Sequence, residues 1–507
     1  MRTARTRKAR ERDPRAKSPR RKSRMELNLT KHVEEFVKYV PSVKKPTYKE
    51  TVNSRLKWTG IALLLYFILS FVQVYGLDTS DPQRMQQFQF YEIVLGSKFG
   101  SLMTLGIGPI VTGGILLQLL VGSKIIDWDT SKEEGRKKFN TWNKFLSIAL
   151  CFIEAIAFVL AGALPVTGGA GTAVAVMMQL AAGAILVVLL DELVSKWGFG
   201  SGISLFIAAG VGSQVLIRVL SPFVAPPVCQ SGNLLSCLPT STNPPTGLLW
   251  VFALNILSAN AAPALIAALP IAATIIVFFV AVYMQNIQVE IPLTYAQMRG
   301  FGRSWGLKLL YTSNIPVILT AALVSNMQLV GRFGLGPADA NGIACGPLGC
   351  FEGGTVVSGL VYYLTAPGNL LGQMVQGTAT SPEFVRALTY MAFMAVSAML
   401  FSRFWITTSG MDAQTVAEQI SGAGMQIPGY RKDAHVMAEV LNRYIPALAA
   451  VGGLLVGLLA GSADIIGALG TGTGMLLTVM IVYQYYEELS SQRLDEAHPL
   501  VRRLFGE

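Results

Sequence analysis

Charged residues are scarce in this sequence. Only 14% of its 507 residues are Asp, Glu, Lys or Arg, whereas 52% are hydrophobic, and mean hydropathy is +0.47. Soluble domains carry about 25% charged residues, so this composition excludes a water-soluble globular protein. It is typical of a polytopic α-helical membrane protein.

The residues that build common catalytic and metal sites are scarce too. The sequence has three histidines, His32, His435 and His498, and none lies near a Ser, Cys or carboxylate cluster that would form a triad or a metal site. It contains no GxxxxGK[ST] motif for nucleotide phosphates. We therefore expect no enzymatic activity, no metal and no cofactor.

Few ionisable residues fall within the apolar runs. Glu154 and Arg218 are the clear cases, and Arg386 and Arg403 lie at the edges of one run. Proton and ion routes through membranes normally need such residues, so their scarcity counts against an ion-coupled transporter. Glu154 is equally well interpreted as a hydrogen-bonding strut between helices.

Long apolar runs are what the sequence has in quantity. A hydrocarbon core about 30 Å thick requires roughly 20 apolar residues per helix. Ten runs of this kind are predicted to span the membrane, near residues 58–76, 101–122, 144–163, 172–190, 202–221, 263–284, 310–331, 385–405, 444–462 and 465–486. Two shorter runs, Leu248 to Leu257 and Val356 to Leu364, are predicted to be interfacial or re-entrant.

The loop charges orient these spans. With the N-terminus in the cytoplasm, the predicted cytoplasmic loops contain twelve Lys and Arg and the predicted external loops contain three. This bias agrees with the positive-inside rule. We therefore predict that both termini are cytoplasmic.

The N-terminal segment holds most of the net charge of +11. Residues 1–24 contain twelve Lys and Arg against Glu11 and Asp13, and they are predicted to be a disordered basic tail. Attraction to anionic lipids, attraction to RNA phosphates and a role limited to setting the topology all remain open. Residues 25–50 are predicted to form an amphipathic helix on the cytoplasmic membrane surface, because apolar and charged side chains fall on opposite faces.

Four of the five cysteines form two close pairs. Cys229 and Cys237 lie in one predicted external loop, and Cys345 and Cys350 lie in another. An oxidising compartment permits disulfides there, and free or metal-binding thiols are the alternative. Cys151, inside the third span, is interpreted as a small apolar residue.

The two halves of the apolar body resemble each other. Gly200–Gly202 at the start of the fifth span matches Gly472–Gly474 in the tenth, and the second and seventh spans carry Pro109 and Pro316. Five helices followed by five similar helices insert with opposite orientation, since five is odd. Such inverted repeats place their pathway between the halves, although so short a match can also arise by chance.

We therefore predict an all-α membrane fold with ten transmembrane helices in two inverted five-helix halves. The halves are residues 56–221 and 263–486. An external loop at 222–262 separates them, and a cytoplasmic tail at 487–507 follows.

Five segments are specific enough to indicate a family. They are TLGIGPIVTGGILLQLLVGSKII (104–126), GFGSGISLFIAAG (198–210), YTSNIPVILTAALVSN (311–326), NRYIP (442–446) and GALGTGTGMLLT (467–478). They closely resemble the SecY family, the pore subunits of the Sec protein translocase, and its archaeal and eukaryotic branch in particular. The resemblance runs from about Tyr39 to Glu488 and implies a channel for unfolded polypeptides that also opens sideways to lipid.

The resemblance implies a ring of six apolar side chains at the pore constriction. Matched motif by motif, this apolar ring is Ile107, Val111, Ile203, Ile207, Ile318 and Leu477. Such a ring gates by dewetting and offers a passing chain no polar partner. Ordinary packing residues are the alternative interpretation.

The resemblance also implies a plug and a lateral gate. The plug matches residues 88–98, whose apolar members are Phe88, Phe90, Ile93 and Val94; an ordinary amphipathic loop is the alternative. The gate would lie between the second and third spans on one side and the seventh and eighth on the other. Its polar residues match Thr112, Glu154 and Asn326, which otherwise serve as contacts between helices.

The partners implied by the resemblance are a SecE or gamma subunit and a beta-type small subunit, which complete a heterotrimer, together with the ribosome and polypeptides that bear signal sequences. Arg299 and Arg431 match the basic ribosome contacts. The implied location is the cell membrane. An ion-coupled secondary transporter with an inverted-repeat fold is the alternative function, and a membrane scaffold is a third.

Overall fold

The computed structural model describes most of the chain. The described residues are 33–77 except 34, 36, 38 and 49; 98–160 except 124, 127 and 129–132; 164; 166–224; 238–239; 244–295; 302–332 except 313; 343–368 except 353–354; 370–422; 425–426; and 433–496. The basic tail at 1–24 lies outside them.

The described part of the chain is mainly helical. Its helices are α1 (Val52–Phe71), α2 (Gly108–Gly122), α3 (Glu133–Leu160), α4 (Ala170–Trp197), α5 (Gly202–Leu220), α6 (Leu248–Leu257), α7 (Ala261–Asn286), α8 (Ile315–Arg332), α9 (Leu360–Tyr363), α10 (Leu370–Gln376), α11 (Ser381–Ser409), α12 (Ala413–Gly422), α13 (Ala434–Ile466) and α14 (Gly472–Glu496). Each predicted span overlaps one of them, namely α1, α2, α3, α4, α5, α7, α8, α11, α13 or α14. Seven of these, all but α2, α8 and α14, are long and apolar enough to cross a membrane.

The second span differs most from its prediction. The apolar run begins near residue 101, but the helix begins at Gly108 and has 15 residues. The chain from Ser101 to Ile107 forms successive turns, with hydrogen bonds such as Thr104 N–H to Ser101 O and Gly106 N–H to Met103 O. Hydropathy depends on how apolar the side chains are and not on the backbone conformation. It therefore could not distinguish these turns from the helix.

Two small antiparallel sheets occur where loops were predicted. One has the order β2-β1-β6, from β1 (Gln288–Tyr295), β2 (Gly302–Lys308) and β6 (Met425–Gln426), with Gln288 opposite Lys308. The other has the order β3-β4-β5, from β3 (Ile343–Gly346), β4 (Gly349–Glu352) and β5 (Thr355–Gly359). The all-α prediction therefore describes the spanning helices but not the structure of these loops.

The second sheet holds a disulfide. Cys345 and Cys350 lie directly opposite each other on β3 and β4 and are bonded. Cys229 and Cys237 lie outside the described residues. Cys151 is a buried free cysteine in α3, as a small apolar residue would be.

The two short apolar runs do not form crossing helices. Leu248 to Leu257 forms α6, a helix of 10 residues. The run from Val356 to Leu364 is divided between β5 and the single turn of α9. Neither element is long enough to cross the hydrocarbon core.

Most buried apolar side chains form one large cluster. It draws on α1 to α5, α7, α8, α11, α13 and α14, and it includes Tyr66, Phe206 and Tyr390. A smaller cluster joins β1, β2, α12 and the first part of α13, with Leu307, Met437 and Leu441 among its members. The larger cluster unites helices of both predicted halves.

The segment before α1 is helical over a short stretch, and hydrogen bonds anchor the part that follows. Val33, Glu35, Val37 and Tyr39 are helical, but residues 41–46 have no helical structure, so the helix is shorter than the predicted 25–50. This non-helical segment, which we call the N-terminal strap, is held by α3 and α4. The hydrogen bonds are Val43 N–H to Glu192 Oε2 at 3.2 Å, Lys144 Nζ to Pro41 O at 3.2 Å and Trp197 Nε1 to Lys44 O at 2.7 Å.

Candidate functional site: an apolar ring and a lateral seam

Two helices of the predicted ring, α2 and α8, begin with the same local pattern. Pro109 is the second residue of α2, and Pro316 is the second residue of α8. Proline suits the first turn of a helix, because the N–H groups there have no intrahelical acceptor. Val111 and Ile318 each follow their proline by two residues. Both helices therefore place a ring residue at the same position.

The other two ring helices, α5 and α14, begin at glycines that pack on the preceding helix. A Cβ added to Gly202 would lie 2.5 Å from Asp191 Cα of α4. One added to Gly472 would lie 2.0 Å from the carbonyl carbon of Ala463 in α13. No side chain fits at either contact, so glycine is what permits these close approaches.

An aspartate of the preceding helix caps each of these two helices. Asp191 Oδ1 accepts a hydrogen bond from Ile203 N–H at 2.9 Å, and Asp464 Oδ1 accepts one from Thr473 N–H at 3.0 Å. A carboxylate is favourable there because the first N–H groups and the helix dipole attract negative charge. The caps therefore make Ile203 and Thr473 equivalent in the two halves.

This equivalence corrects the repeat register proposed from the sequence. The sequence match pairs Gly200 with Gly472, whereas the structure pairs Gly202 with Gly472. The glycine pattern repeats every two residues in both segments, so the match slipped by two. In the structural register, Ile207 is equivalent to Leu477, and both are predicted ring residues.

The structure brings all six ring residues into the same apolar cluster. Ile107 and Ile207 are 0% exposed, Leu477 is 1% exposed, and Val111 and Ile318 are each 6% exposed. Ile203 is half-buried and packs against the cluster. Among the ring helices, α5 contacts α14, α2 contacts α8, and α8 contacts α14. All six side chains thus belong to the apolar core that helices of the two predicted halves share.

The three predicted gate residues also come together. Asn326 Nδ2 of α8 donates to Thr112 Oγ1 of α2 at 3.5 Å, and the Glu154 carboxylate of α3 interacts with the same hydroxyl. Glu154 is 9% exposed, and its Oε1 has no hydrogen-bond partner within the described part of the chain. We call the contact between α2–α3 and α8–α11 the lateral seam.

The lateral seam is closed by packing as well as by polar contacts. A Cβ added to Gly122 of α2 would lie 3.3 Å from Phe404 Cδ1 and 3.6 Å from Thr408 Cγ2 of α11. On the near side of the seam, a Cβ on Gly113 of α2 would lie 3.2 Å from Ser147 Oγ of α3. The seam therefore has close glycine contacts both across it and within one side.

Several predicted site residues lie outside the described residues. They are Phe88, Phe90, Ile93 and Val94 of the predicted plug and the predicted ribosome contacts Arg299 and Arg431. Lys98, at the end of the predicted plug segment, is described, and its ammonium lies 4.2 Å from the centroid of the Phe71 ring.

A buried aspartate network that the sequence did not predict lies at the start of α14. Asp464 accepts hydrogen bonds from the Tyr390 hydroxyl at 2.8 Å, from Thr473 N–H and from the Thr473 hydroxyl. Asp464 lay between two predicted spans and so escaped the search for ionisable residues at membrane depth. The available signal was an acidic residue shortly before a helix that starts with alternating glycines, a pattern that occurs in both halves.

A cavity of about 750 Å³ lies next to this network. Asp464, Gln328, Phe351, Arg218 and Arg386 are among its lining residues. The Arg386 guanidinium donates to the carbonyls of Thr365 and Ala366 at 2.9 and 3.1 Å. It therefore fixes the connection between α9 and α10 against α11.

Comparison with known proteins gives a single family. The family model described as SecY matches residues 101–486. The protein translocase subunit SecY of Pyrococcus furiosus is 42% identical over 480 residues, which cover 92% of this chain and 97% of that protein. The SecY of Methanocaldococcus jannaschii is 40% identical over 471 residues, with coverage of 92% and 98%.

Solved structures agree with these sequence matches. A protein-conducting channel superposes with a TM-score of 0.76 at 39% identity, covering 92% of this chain and 98% of that chain. Sec61 in the canine ribosome–channel complex from the endoplasmic reticulum superposes with a TM-score of 0.73 at 39% identity and the same coverage.

Proposed function

This chain belongs to the SecY family, and from that premise we infer that it is the channel-forming subunit of a Sec protein translocase. It is a multi-pass membrane protein, and its role is to conduct polypeptides. Unfolded secretory chains pass through the bundle, and hydrophobic segments leave it sideways. The ion-coupled transporter that composition left open has no support in the family relationship.

The observation that carries this function is the apolar ring. Its members lie at the N-terminal ends of four helices, and four of them fall into repeat-equivalent positions, Val111 with Ile318 and Ile207 with Leu477. A constriction lined only by apolar side chains resists wetting and so retains ions. It also gives a passing polypeptide of any sequence no strong binding site. These properties suit a channel whose cargo varies in sequence.

The lateral seam is proposed as the exit for hydrophobic segments. Polar contacts between membrane helices contribute about 1 kcal/mol each, and the contact from Asn326 to Thr112 is long at 3.5 Å. The unpartnered oxygen of Glu154 further weakens the closed state, because a buried acceptor without a donor carries a desolvation penalty. A hydrophobic signal sequence can therefore part the seam.

The remaining assignments rest on the family relationship. The segment at 88–98 is proposed to plug the closed channel from outside, and residues 56–221 and 263–486 to form the inverted halves with both termini in the cytoplasm of the cell membrane. Arg299 and Arg431 are proposed to contact the ribosome. The basic tail at 1–24 is proposed to attract anionic lipids.

The proposed partners are a SecE or gamma subunit, a beta-type small subunit, the ribosome and polypeptides with signal sequences. The relationship to Sec61 from a ribosome–channel complex supports the ribosome in particular. The sequence carries no nucleotide-binding motor motif, so we assign the chain no enzymatic activity and assign the driving force to a partner or a gradient.

Site-directed photocrosslinking tests the function. A photoreactive residue replaces Ile203 or Ile318 in the assembled complex in proteoliposomes, and a stalled secretory chain is presented with ribosomes. We expect crosslinks to the stalled chain that require an intact signal sequence, because the chain must pass the ring. The matched control is the same photoreactive residue at Ile276, which is 61% exposed on α7 and should crosslink to lipid.

Two outcomes would contradict the proposal at different levels. Crosslinks that arise only from positions away from the apolar ring would remove the ring assignment. A complex that is fully assembled but gives no crosslink to the stalled chain from any position would remove the channel function itself.

A further inference from the structure

We propose that the Asp464 network couples the lateral seam to the apolar ring. The network consists of Asp464 of α13, Tyr390 of α11 and Thr473 of α14. It ties a helix of the seam to the first turn of a helix of the ring. This inference rests on the proposed channel function and assigns Asp464 and Tyr390 as positioning residues within it.

The network is buried and fully engaged. Tyr390 is 1% exposed, Thr473 is 0% exposed and Asp464 is 7% exposed. One carboxylate oxygen accepts from Thr473 N–H at 3.0 Å, and the other accepts from the Tyr390 hydroxyl at 2.8 Å and from the Thr473 hydroxyl. Hydrogen bonds to a charged acceptor are roughly twice as strong as neutral ones, and low local polarity strengthens them further.

Backbone packing makes the network part of a rigid block. A Cβ added to Gly453 of α13 would lie 2.7 Å from Ser402 Cβ of α11, and one added to Gly457 would lie 2.8 Å from Ala395 Cα of α11. These glycines let α11 and α13 pack with their backbones in close approach. The network extends the block to the first turn of α14.

The geometry carries a displacement of the seam to the ring. α11 contacts α2 across the lateral seam. Leu477 lies four residues after Thr473, one helical turn further along α14 and on the same face. A movement of α11 away from α2 therefore pulls on the turn of α14 that precedes Leu477, so opening the seam displaces a ring side chain.

The first half has a capping aspartate but no described side-chain contact from that aspartate to a seam helix. Asp191 occupies the equivalent position and accepts hydrogen bonds from the backbone of Ile203 and Gly202. In the part of the chain that the structure describes, no side chain of a seam helix donates to Asp191. Among the described residues, the seam helix α11 contacts a capping aspartate through the Tyr390 hydroxyl, so the proposed coupling belongs to the second half.

The test compares ion conductance with the seam free and with the seam locked. Thr112→Cys and Asn326→Cys are joined by a short bismaleimide in the assembled translocase, reconstituted in planar bilayers, and a signal peptide is added. In the parent protein we expect locking to abolish the conductance that the peptide induces. In Tyr390→Phe we expect resting conductance to rise about tenfold, the effect of losing one buried hydrogen bond to a charged group. We also expect conductance in this variant to be the same with the seam locked or free.

The matched control is Tyr311→Phe. The Tyr311 hydroxyl donates to Met411 O at 3.0 Å, so this variant also loses one tyrosine hydrogen bond, here a partly buried one, at the loop after β2. It should keep the parent response to locking. If Tyr390→Phe keeps that response, or if Tyr311→Phe loses it equally, the coupling is wrong.

A reference variant separates this inference from the proposed function. Ile318→Gly removes a ring side chain and should conduct ions without a signal peptide. If Ile318→Gly conducts and Tyr390→Phe behaves as the parent, the coupling alone fails. If Ile318→Gly conducts no more than the parent and no polypeptide crosses, the channel function fails.

Discussion

A single carboxylate oxygen limits how firmly the lateral seam closes. Glu154 Oε1 is buried without a hydrogen-bond partner among the described residues, and a buried polar atom without a partner costs free energy. The side chain is therefore a source of instability placed where the channel must open. The same residue type in a packed core would be a defect, whereas here it lowers the work that a signal sequence must do.

The change Glu154→Gln tests this interpretation. Glutamine retains an oxygen for the Thr112 hydroxyl and replaces the ionisable carboxyl group with a neutral amide that is cheaper to bury than a carboxylate, so we expect the closed seam to gain about 1 kcal/mol. Weakly hydrophobic signal sequences should then translocate several-fold less, and strongly hydrophobic ones should be unaffected. The measurement is translocation into proteoliposomes of one secretory protein carrying signal sequences of graded hydrophobicity.

The control for this prediction acts in the opposite direction. Thr112→Val removes the hydroxyl that Asn326 and Glu154 share and keeps the side-chain volume, so it should favour weak signal sequences. Equal or better use of weak signals by Glu154→Gln would contradict the proposed role of the charge.

The role of a single residue could be predicted only where a local sequence motif contains it. The motifs around Thr112, Glu154 and Asn326 predict a polar contact between helices, and the structure places these residues together. Their role as a gate stays a prediction. Asp464 was missed, because its importance depends on the hydroxyl of Tyr390, which is 74 residues away in the chain. A partner so distant leaves no pattern in the local sequence.

The starts of the helices decide where the ring residues lie. α14 begins at Gly472 because no larger residue fits against α13, and Leu477 is five residues further on. Mid-helix glycines are different. A Cβ added to Gly212 of α5 would meet nothing within 4 Å. The same residue type is therefore indispensable at one point of an element and replaceable at another.

The pair of substitutions Gly472→Ala and Gly212→Ala tests this contrast. Gly472→Ala forces a methyl group into the backbone of Ala463, so we expect a loss of stability of about 3 kcal/mol and a large fall in translocation. Gly212→Ala should be neutral or stabilising by up to about 1 kcal/mol, because alanine is the better helix former. Thermal unfolding in detergent, followed by the fluorescence of a thiol probe at buried Cys151, measures both. A similar midpoint for the two variants would show that the approach of α14 to α13 is not close.

The bounds of a helix could be predicted only where the apolar run and the helix begin and end at nearly the same residues. The ten apolar runs each overlap a helix, but α2 starts later than its run, and α13 extends well before its run, to Ala434. The sheets were missed since most of their strands lie in the connections between apolar runs, and β5 lies in a run too short to cross the membrane. The repeat register slipped because alternating glycines match themselves at a shift of two.

At the scale of the whole molecule, the lateral seam divides two groups of helices, α2–α3 and α8–α11, whose separation is the proposed lateral opening. The contact of Gly122 with Thr408 crosses the seam, whereas the contact of Gly113 with Ser147 stays on one side. These pairs have similar spacings, so they distinguish movement across the seam from movement within one side.

Disulfide crosslinking of the two pairs tests this division. Oxidation of Gly122→Cys with Thr408→Cys should abolish both translocation and release of hydrophobic segments into lipid, because neither group of helices can then move away. Oxidation of Gly113→Cys with Ser147→Cys should leave both activities nearly intact. The measurement is insertion and translocation before and after reduction. Full activity of the oxidised Gly122–Thr408 variant would contradict a seam that opens there.

The inverted arrangement of the halves was inferred from two glycine patterns and two prolines. The capping aspartates add a structural equivalence between the two halves. Asp191 and Asp464 occupy equivalent positions although the residues around them differ. The sequence could not predict that the two capping aspartates have different partners. The tyrosine that joins Asp464 to α11 has no described counterpart at Asp191, and this asymmetry lies in packing between distant helices.

The N-terminal strap attaches the chain before α1 to α3 and α4. Its backbone is fastened by hydrogen bonds to Lys144 of α3 and to Glu192, Lys196 and Trp197 of α4. Ion pairs in turn join Glu192 to Lys144 and Lys196. A force applied to the chain before the strap would therefore reach α3 and α4 before it reached α1. Because α3 borders the lateral seam, such a force would act on one side of the proposed exit.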